Sequence, residues 1–272
     1  MSVSTSAVTS TARPVTPLGI LAASLGELAG RTDLPADVQE QLRHAHELAA
    51  GLDPYVAACT TPESPALAAL AARTAAEDWG SDGGAPQLEQ EMLSGHVEGQ
   101  ALKLLVHLGR ARRVLDVGMF TGYSSLAMAE ALPADGTVVA CELDPHVAGI
   151  AQECFDAAPD GHKIDVRVGP ARDTLAALVG GEPFDLVFLD ADKAGYLGYL
   201  QQVLDGDLLA EHGVVCVDNT LMQGHPWTTS SGSGSSPNGD AIAAFNTAVA
   251  NDQRVEQVLL PVRDGLTLIR RV

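Results

Sequence analysis

Apolar residues along this chain keep two rhythms, and the change between them falls near residue 110. Before that point they recur every three or four positions, the spacing of a helix with one buried face. The first such segment covers residues 18–28 and stops at Gly30. A second covers 34–52 and is expected to end at Gly51 and the Asp53-Pro54 step. A third covers 65–79, with Pro65 in the first turn, where a missing N–H is harmless. A fourth covers 88–108, interrupted at Ser94-Gly95-His96. Glycine weakens a helix interior, so a bend or a close backbone approach to a ligand is expected there. Residues 1–16, rich in Ser and Thr, read as a flexible tail, and Ser81-Asp82-Gly83-Gly84 as a loop.

After residue 110 short apolar runs alternate with helical segments. Strands are expected at 114–118, 137–143, 163–168, 184–190 and 213–217, with helices at 123–132, 145–157, 171–179 and 194–204 between them. Such alternation needs crossover helices and gives an α/β fold with a doubly wound, mostly parallel sheet. A low-complexity Ser/Gly stretch at 228–236 precedes a helix at 240–250. Two last runs, 255–262 and 266–272, are joined by Arg263-Asp264-Gly265. Asp-Gly between such runs signals a hairpin, so the sheet is expected to end in an antiparallel edge strand. The resulting organisation is a tail (1–16), an N-terminal helical region (17–110) and an α/β domain (111–272).

Composition narrows the function. A net charge of −19 excludes a protein that grips a phosphate backbone, which needs clustered Lys and Arg. The cysteines Cys59, Cys141, Cys154 and Cys216 form no C-x-x-C, and a reducing cytoplasmic setting is the expectation. The N-terminus has no basic segment followed by an apolar run, so neither a signal peptide nor a membrane partner is expected.

Three strand-like runs end abruptly in chemistry, and in open α/β sheets ligands sit outside the carboxyl ends of the strands. The first opens into Asp116-x-Gly118-x-x-x-Gly122. The second glycine of a dinucleotide fingerprint would fall on Phe120, too bulky for a pyrophosphate to approach. Glu142 closes the next strand, where an acid meets a ribose diol. A nucleoside without a pyrophosphate suits this pattern, and S-adenosylmethionine is such a ligand. The other two runs end in Asp190-Ala191-Asp192-Lys193 and Asp218-Asn219-Thr220. Asp190, Asp218 and Asn219 offer only hard oxygen donors, the chemistry of Mg²⁺, whereas no His/Cys set has zinc spacing. Lys193, one of three lysines in the chain, is a candidate general base. The plainer alternatives are helix N-caps for the acids and a surface ion pair for the lysine.

With Val117-Gly118-Met119-Phe120-Thr121-Gly122-Tyr123-Ser124, Phe188-Leu189-Asp190-Ala191-Asp192-Lys193 and Val217-Asp218-Asn219-Thr220-Leu221, the chain resembles the cation-dependent class I O-methyltransferases of the catechol and caffeoyl-CoA type. That resemblance implies a seven-stranded Rossmann-like sheet with its last strand antiparallel, and a homodimer. It implies Asp190, Asp218 and Asn219 as Mg²⁺ ligands, with Asp190 also catalytic and beside the donor, and Lys193 as the base. Ser94, Gly118, Phe120, Ser124, Glu142 and Ala171 would line the donor site. Ala49-Ala50-Gly51-Leu52-Asp53-Pro54-Tyr55, Cys59-Thr60-Thr61-Pro62-Glu63-Ser64, Leu88-Glu89-Gln90-Glu91-Met92-Leu93-Ser94-Gly95-His96 and the segment 257–266 are similar to the O-methyltransferases of mycosporine biosynthesis. This implies a vicinal enediol substrate, desmethyl-4-deoxygadusol, with a catechol or caffeoyl-like phenol as the alternative. Trp227, His96 and Met119 are candidate substrate walls, against the plainer role of ordinary packing.

Overall fold

The computed structural model describes residues 14–79, 88–228 and 236–272; the expected tail up to residue 13, the 81–84 loop and most of the Ser/Gly stretch lie outside these. The N-terminal region supplies α1 (Pro17–Ala29), α2 (Ala36–Ala58), α3 (Pro65–Ala75) and α4 (His96–Gly109). The α/β part runs β1 (Arg113–Val117), α5 (Tyr123–Ala131), β2 (Thr137–Glu142), α6 (Pro145–Ala157), β3 (Ile164–Val168), α7 (Ala171–Leu178), β4 (Phe184–Leu189), α8 (Tyr196–Asp205), β5 (Leu209–Val217), α9 (Pro237–Asn251), β6 (Val255–Leu260) and β7 (Leu266–Arg271). Seven strands form one sheet in the order β3-β2-β1-β4-β5-β7-β6, and only β7 runs antiparallel to its neighbours.

Strand periodicity divides the core in two. On β4, Leu186 and Phe188 face the side packed by α4, α5 and α6, with Leu102, Leu126 and Phe155. Val187 and Leu189 face the side packed by α8 and α9, with Tyr196, Leu200 and Phe245. On β1 the same alternation puts Asp116 on the first face beside Val114, where it is fully buried. Among the described residues no helix is long and apolar enough to cross a membrane.

Four expectations change. The second helix does not end at Gly51 and Pro54 but continues through both to Ala58. Nothing crowds Gly51, and a bond of 3.0 Å from the Cys59 amide to the Tyr55 carbonyl closes the last turn beyond the proline. The third helix stops at Ala75, leaving Trp79 outside with its Nε1 donating to the Thr74 carbonyl. The fourth is not one bent helix: a short turn at Gln90–Met92 is followed by a break, and α4 starts after Gly95 at φ 77°. Finally, the antiparallel strand is not the edge strand. β7 inserts between β5 and β6 because its Leu266, Thr267 and Ile269 are buried, while β6 exposes Glu256 to Leu259.

Candidate active site

The donor loop is set by three backbone positions in the left-handed region: Gly118 (φ 93°), Phe120 (φ 51°) and Gly122 (φ 91°). The amides of Gly118 and Met119 both donate to the Cys141 carbonyl, at 3.1 and 3.0 Å, turning the chain sharply away from β1. A Cβ on Gly118 would lie 2.3 Å from the Asp190 carbonyl oxygen, so glycine is what lets the donor loop and the end of β4 touch. Glu142, at the end of β2, accepts from the Phe120 amide through Oε2 and from the Asp144 amide through Oε1, each at 2.9 Å. Burial raises its pKa, and these backbone donors oppose the rise. The Gly169 amide donates to the Glu142 carbonyl, bringing Gly169-Pro170-Ala171 alongside. The Phe120 ring lies 4.8 Å from Trp79.

Ser124 is tied inward: it and Ser125 donate to Asp116 Oδ2 at 2.7 and 2.6 Å. Burial pushes the Asp116 carboxyl up to about 7, with the two hydroxyls pulling the other way. The folded protein therefore holds this proton where the unfolded chain, with a pKa of about 4, has released it. Stability contributed by protonated Asp116 is lost as pH rises from about 4 to about 7 and stays lost above. At about 1.4 kcal/mol per unit, the penalty at pH 8 reaches up to about 4 kcal/mol. Asp116→Asn, which keeps an acceptor for the serines, is expected to melt higher than the parent at pH 8 and with a flatter pH dependence. Thermal melts from pH 5 to 8 check this, and parallel slopes for the two proteins would refute it.

The other two strand ends are tied to the loop in series, β4 to the end of β1 and β5 to the end of β4. The Asp190 amide donates to the Val117 carbonyl at 2.9 Å, and the Asp218 amide to the Leu189 carbonyl at 3.0 Å. Lys193 Nζ donates to Asp190 Oδ1 at 2.8 Å and to the buried Tyr196 hydroxyl at 2.6 Å. That hydroxyl lies 3.2 Å from the Asp218 carbonyl. Neither Asp190 nor Asp218 caps a helix, in contrast to Asp144, whose Oδ1 takes the His146 amide at 2.8 Å. Asn219 adopts φ 58°, and the loop it opens rests on the β6–β7 hairpin. There the Thr220 and Leu221 amides donate to the Gly265 and Asp264 carbonyls, and the Gln223 amide to Asp264 Oδ1. A Cβ on Gly265 would sit 2.7 Å from the Leu221 nitrogen, so this hairpin requires its glycine.

The donor loop and the end of β2 thus carry Gly118, Phe120 and Glu142 together, with Ala171 alongside and Ser124 turned into the core toward Asp116, while the ends of β4 and β5 carry Asp190, Lys193, Asp218 and Asn219. Ser94 is buried on the break before α4. Of the proposed walls, Trp227 is exposed and His96 Nε2 is 2.5 Å from the Thr61 carbonyl. Met119 is a core residue at 2 % exposure, so ordinary packing accounts for it.

Sequence reasoning passed over Glu98, Tyr196 and Arg263. Glu98 is 2 % exposed on α4 and has Asp218 as its strongest charged neighbour. Burial first, then Asp218, raise its pKa; burial first, then Asp190, raise that of Asp218. Its signal was present: Glu98 shares a helix face with Leu102 and Val106, a carboxylate on an apolar stripe. Two buried acids pushed toward protonation by burial and by one another, beside hard oxygen donors, fit a divalent cation that would replace those protons. Among the described residues, however, no three acidic, His or Cys side chains converge as a metal cage, and here Lys193 holds Asp190.

The O-methyltransferase family model matches residues 81–272. Caffeoyl-CoA O-methyltransferase 2 of Zea mays is 41% identical over 182 residues, 64% of this chain and 68% of that protein. The S-adenosylhomocysteine-bound methyltransferase PaMTH1 of Podospora anserina superimposes with a TM-score of 0.73 at 26% identity, over 83% of this chain and 96% of that one. TomG of Streptomyces achromogenes, an O-methyltransferase of tomaymycin synthesis solved with S-adenosylmethionine, gives 0.66 at 29% identity, over 81% and 96%. The chain belongs to the O-methyltransferase family. Within it, the chain is an S-adenosylmethionine-dependent enzyme of the caffeoyl-CoA type.

Proposed function

We propose that this enzyme methylates one hydroxyl of a vicinal enediol, with Mg²⁺ as its cation. The observation carrying this is the meeting of Asp190, Lys193, Asp218 and Asn219 at the ends of β4 and β5, where Asp190 bonds to the end of β1 and lies against Gly118 of the donor loop. In this reading Asp190, Asp218 and Asn219 hold the cation, which when bound would fix two adjacent hydroxyls and lower their pKa. Glu142 takes the ribose hydroxyls of the donor, and Gly118, Ser124 and Ser94 line its methionine end. Phe120 and Ala171 flank the nucleoside. The sulfonium methyl is already activated, so the chain's own task is to align it with the acceptor oxygen, which removes several kcal/mol of barrier. Lys193 then accepts the hydroxyl proton.

Likeness to the mycosporine enzymes at 49–55, 59–64, 88–96 and 257–266 favours desmethyl-4-deoxygadusol as the acceptor, giving 4-deoxygadusol. The second reading, a phenolic or caffeoyl-like acceptor, is favoured by the maize relative's activity. Charge weighs toward a small acceptor. At the site, Lys193 and Arg263 already face Asp190 and Glu98, and the chain carries −19 overall. A coenzyme A ester would bring several further negative charges to it. Exposed Leu48, Leu52 and Tyr55, at helical spacing on α2, suit the expected homodimer, and four free cysteines suit the cytoplasm.

The test incubates the protein with S-adenosylmethionine, Mg²⁺ and parallel panels of enediolones, catechols and caffeoyl-CoA, reading products by mass. Methylated enediolone is expected as the main product, disappearing with a chelator. Transfer that survives the chelator would sink the cation, and transfer to caffeoyl-CoA alone would sink the substrate.

A further inference from the structure

Glu98 stands out among the buried polar groups. Its Oε1 is sealed from solvent and has no hydrogen-bond partner among the described residues. Its Oε2 lies 3.8 Å from Arg263 Nε, beyond hydrogen-bonding distance. A buried carboxylate left this way is costly unless something positive completes it. What faces it is another acid: Asp218, its strongest charged neighbour, lies within side-chain hydrogen-bonding reach, and Asp190 adds to the repulsion. A carboxylate kept only for packing on the Leu102 and Val106 face of α4 would serve better as an apolar residue.

Arg263 does not account for it. The guanidinium stands at the hairpin tip, with φ 50° at its own backbone, and is also engaged elsewhere. Its Nη2 reaches the Leu93 carbonyl at 3.5 Å, and its Nη1 lies where a Cβ on Gly95 would fall, 2.7 Å away. Arg263 is shared among three acids, Glu98, Asp218 and Asp264, the last two of which Lys193 also faces. Lys193 answers Asp190. Two cations thus stand among four acids, and a divalent cation would supply the positive charge the group lacks.

We infer that Glu98 is a positioning residue for the divalent cation, standing behind Asp218 and supplying negative potential that strengthens the grip of Asp190, Asp218 and Asn219. It acts through Asp218, in keeping with the absence of a three-acid cage among the described residues. Outer partners of metal ligands commonly set affinity by about 10- to 100-fold, and that is the range expected here. The inference rests on the cation-dependent reading above.

The test is titration calorimetry of the full-length protein with Mn²⁺ and Mg²⁺ in the presence of S-adenosylhomocysteine. Glu98→Gln is expected to weaken Mn²⁺ binding about 10-fold or more, while S-adenosylhomocysteine affinity without metal stays within about twofold of the parent. Glu98→Asp, which retains the charge, should recover part of the loss, and also serves should the glutamine variant not fold. Arg263→Met removes the countercharge and leaves Glu98 in place, so Mn²⁺ affinity should hold or rise. Equal weakening by Glu98→Gln and Arg263→Met would mean the ion pair matters rather than the charge, overturning the inference. So would Mn²⁺ binding by Glu98→Gln at parental strength. A parent that binds no Mn²⁺ would instead overturn the cation-dependent reading itself.

Discussion

Gly118→Val is expected to abolish donor binding and to destabilise the fold by about 3–5 kcal/mol. Two effects add at this position. The backbone at φ 93° suits glycine and strains a β-branched residue. The new Cβ would also lie 2.3 Å from the Asp190 carbonyl oxygen, 2.7 Å from its carbon and 2.8 Å from the Ala191 Cα. All three are backbone atoms of the neighbouring strand end, so no side chain can swing aside. Relief requires the ends of β1 and β4 to part, which separates the donor loop from Asp190. The loss is a large share of the about 5–15 kcal/mol that holds a typical domain together.

A second glycine supplies the control. Gly149 lies inside α6 with ordinary helical backbone, and a Cβ there would meet nothing within 4 Å. Gly149→Ala should therefore stabilise the protein by about 0.5–1 kcal/mol. Urea unfolding and calorimetric titration with S-adenosylhomocysteine check both variants. If Gly118→Val bound the donor normally, the contact between loop and strand would not be what builds the site.

The sheet was readable in advance because parallel strands buried on both faces leave short apolar runs, and the stretch 184–190 is such a run. The donor loop was readable because glycines at a strand–helix junction and an acid on the next strand answer to backbone rules. What escaped depended on partners distant in sequence. β5 begins at Leu209, four residues before its apolar run, because Phe184 pairs with Leu209 across a register shift; Ala210, Glu211 and His212 gave no sign of a strand. β7 displaced β6 from the inner position through packing of Thr267 on Thr220, a contact between hydroxyls 2.9 Å apart and 47 residues distant. Glu98 was legible in helical periodicity, but its meaning depends on Asp218, which only the fold brings near. Pro54 was over-weighted: a proline close to a helix C-terminus loses one bond, and a neighbouring turn can outweigh that loss.

Lys193→Ala is expected to cut methyl transfer to a catechol by about 10²–10⁴-fold, the usual worth of a placed proton acceptor. Transfer to an enediolone should fall by less than about tenfold, because an enediol conjugated to a ketone is already acidic and needs little help to ionise. The difference follows from what the lysine does in this site. Its ammonium donates to Asp190 and to Tyr196, and while it does so it can accept no proton. It serves as a base only in its neutral form, so its worth scales with how reluctantly the acceptor gives up its proton. Removing it also leaves Asp190 without its cation, a loss shared by both substrates and therefore absent from their ratio. Lys193→Met, which keeps an unbranched apolar side chain but removes the ammonium 4.8 Å from the Tyr196 ring centre, should reproduce that ratio. Rates for both acceptors with each variant, across pH 6 to 9 at saturating donor, provide the measurement. Equal losses on the two acceptors would show that Lys193 holds Asp190 in place rather than moving a proton.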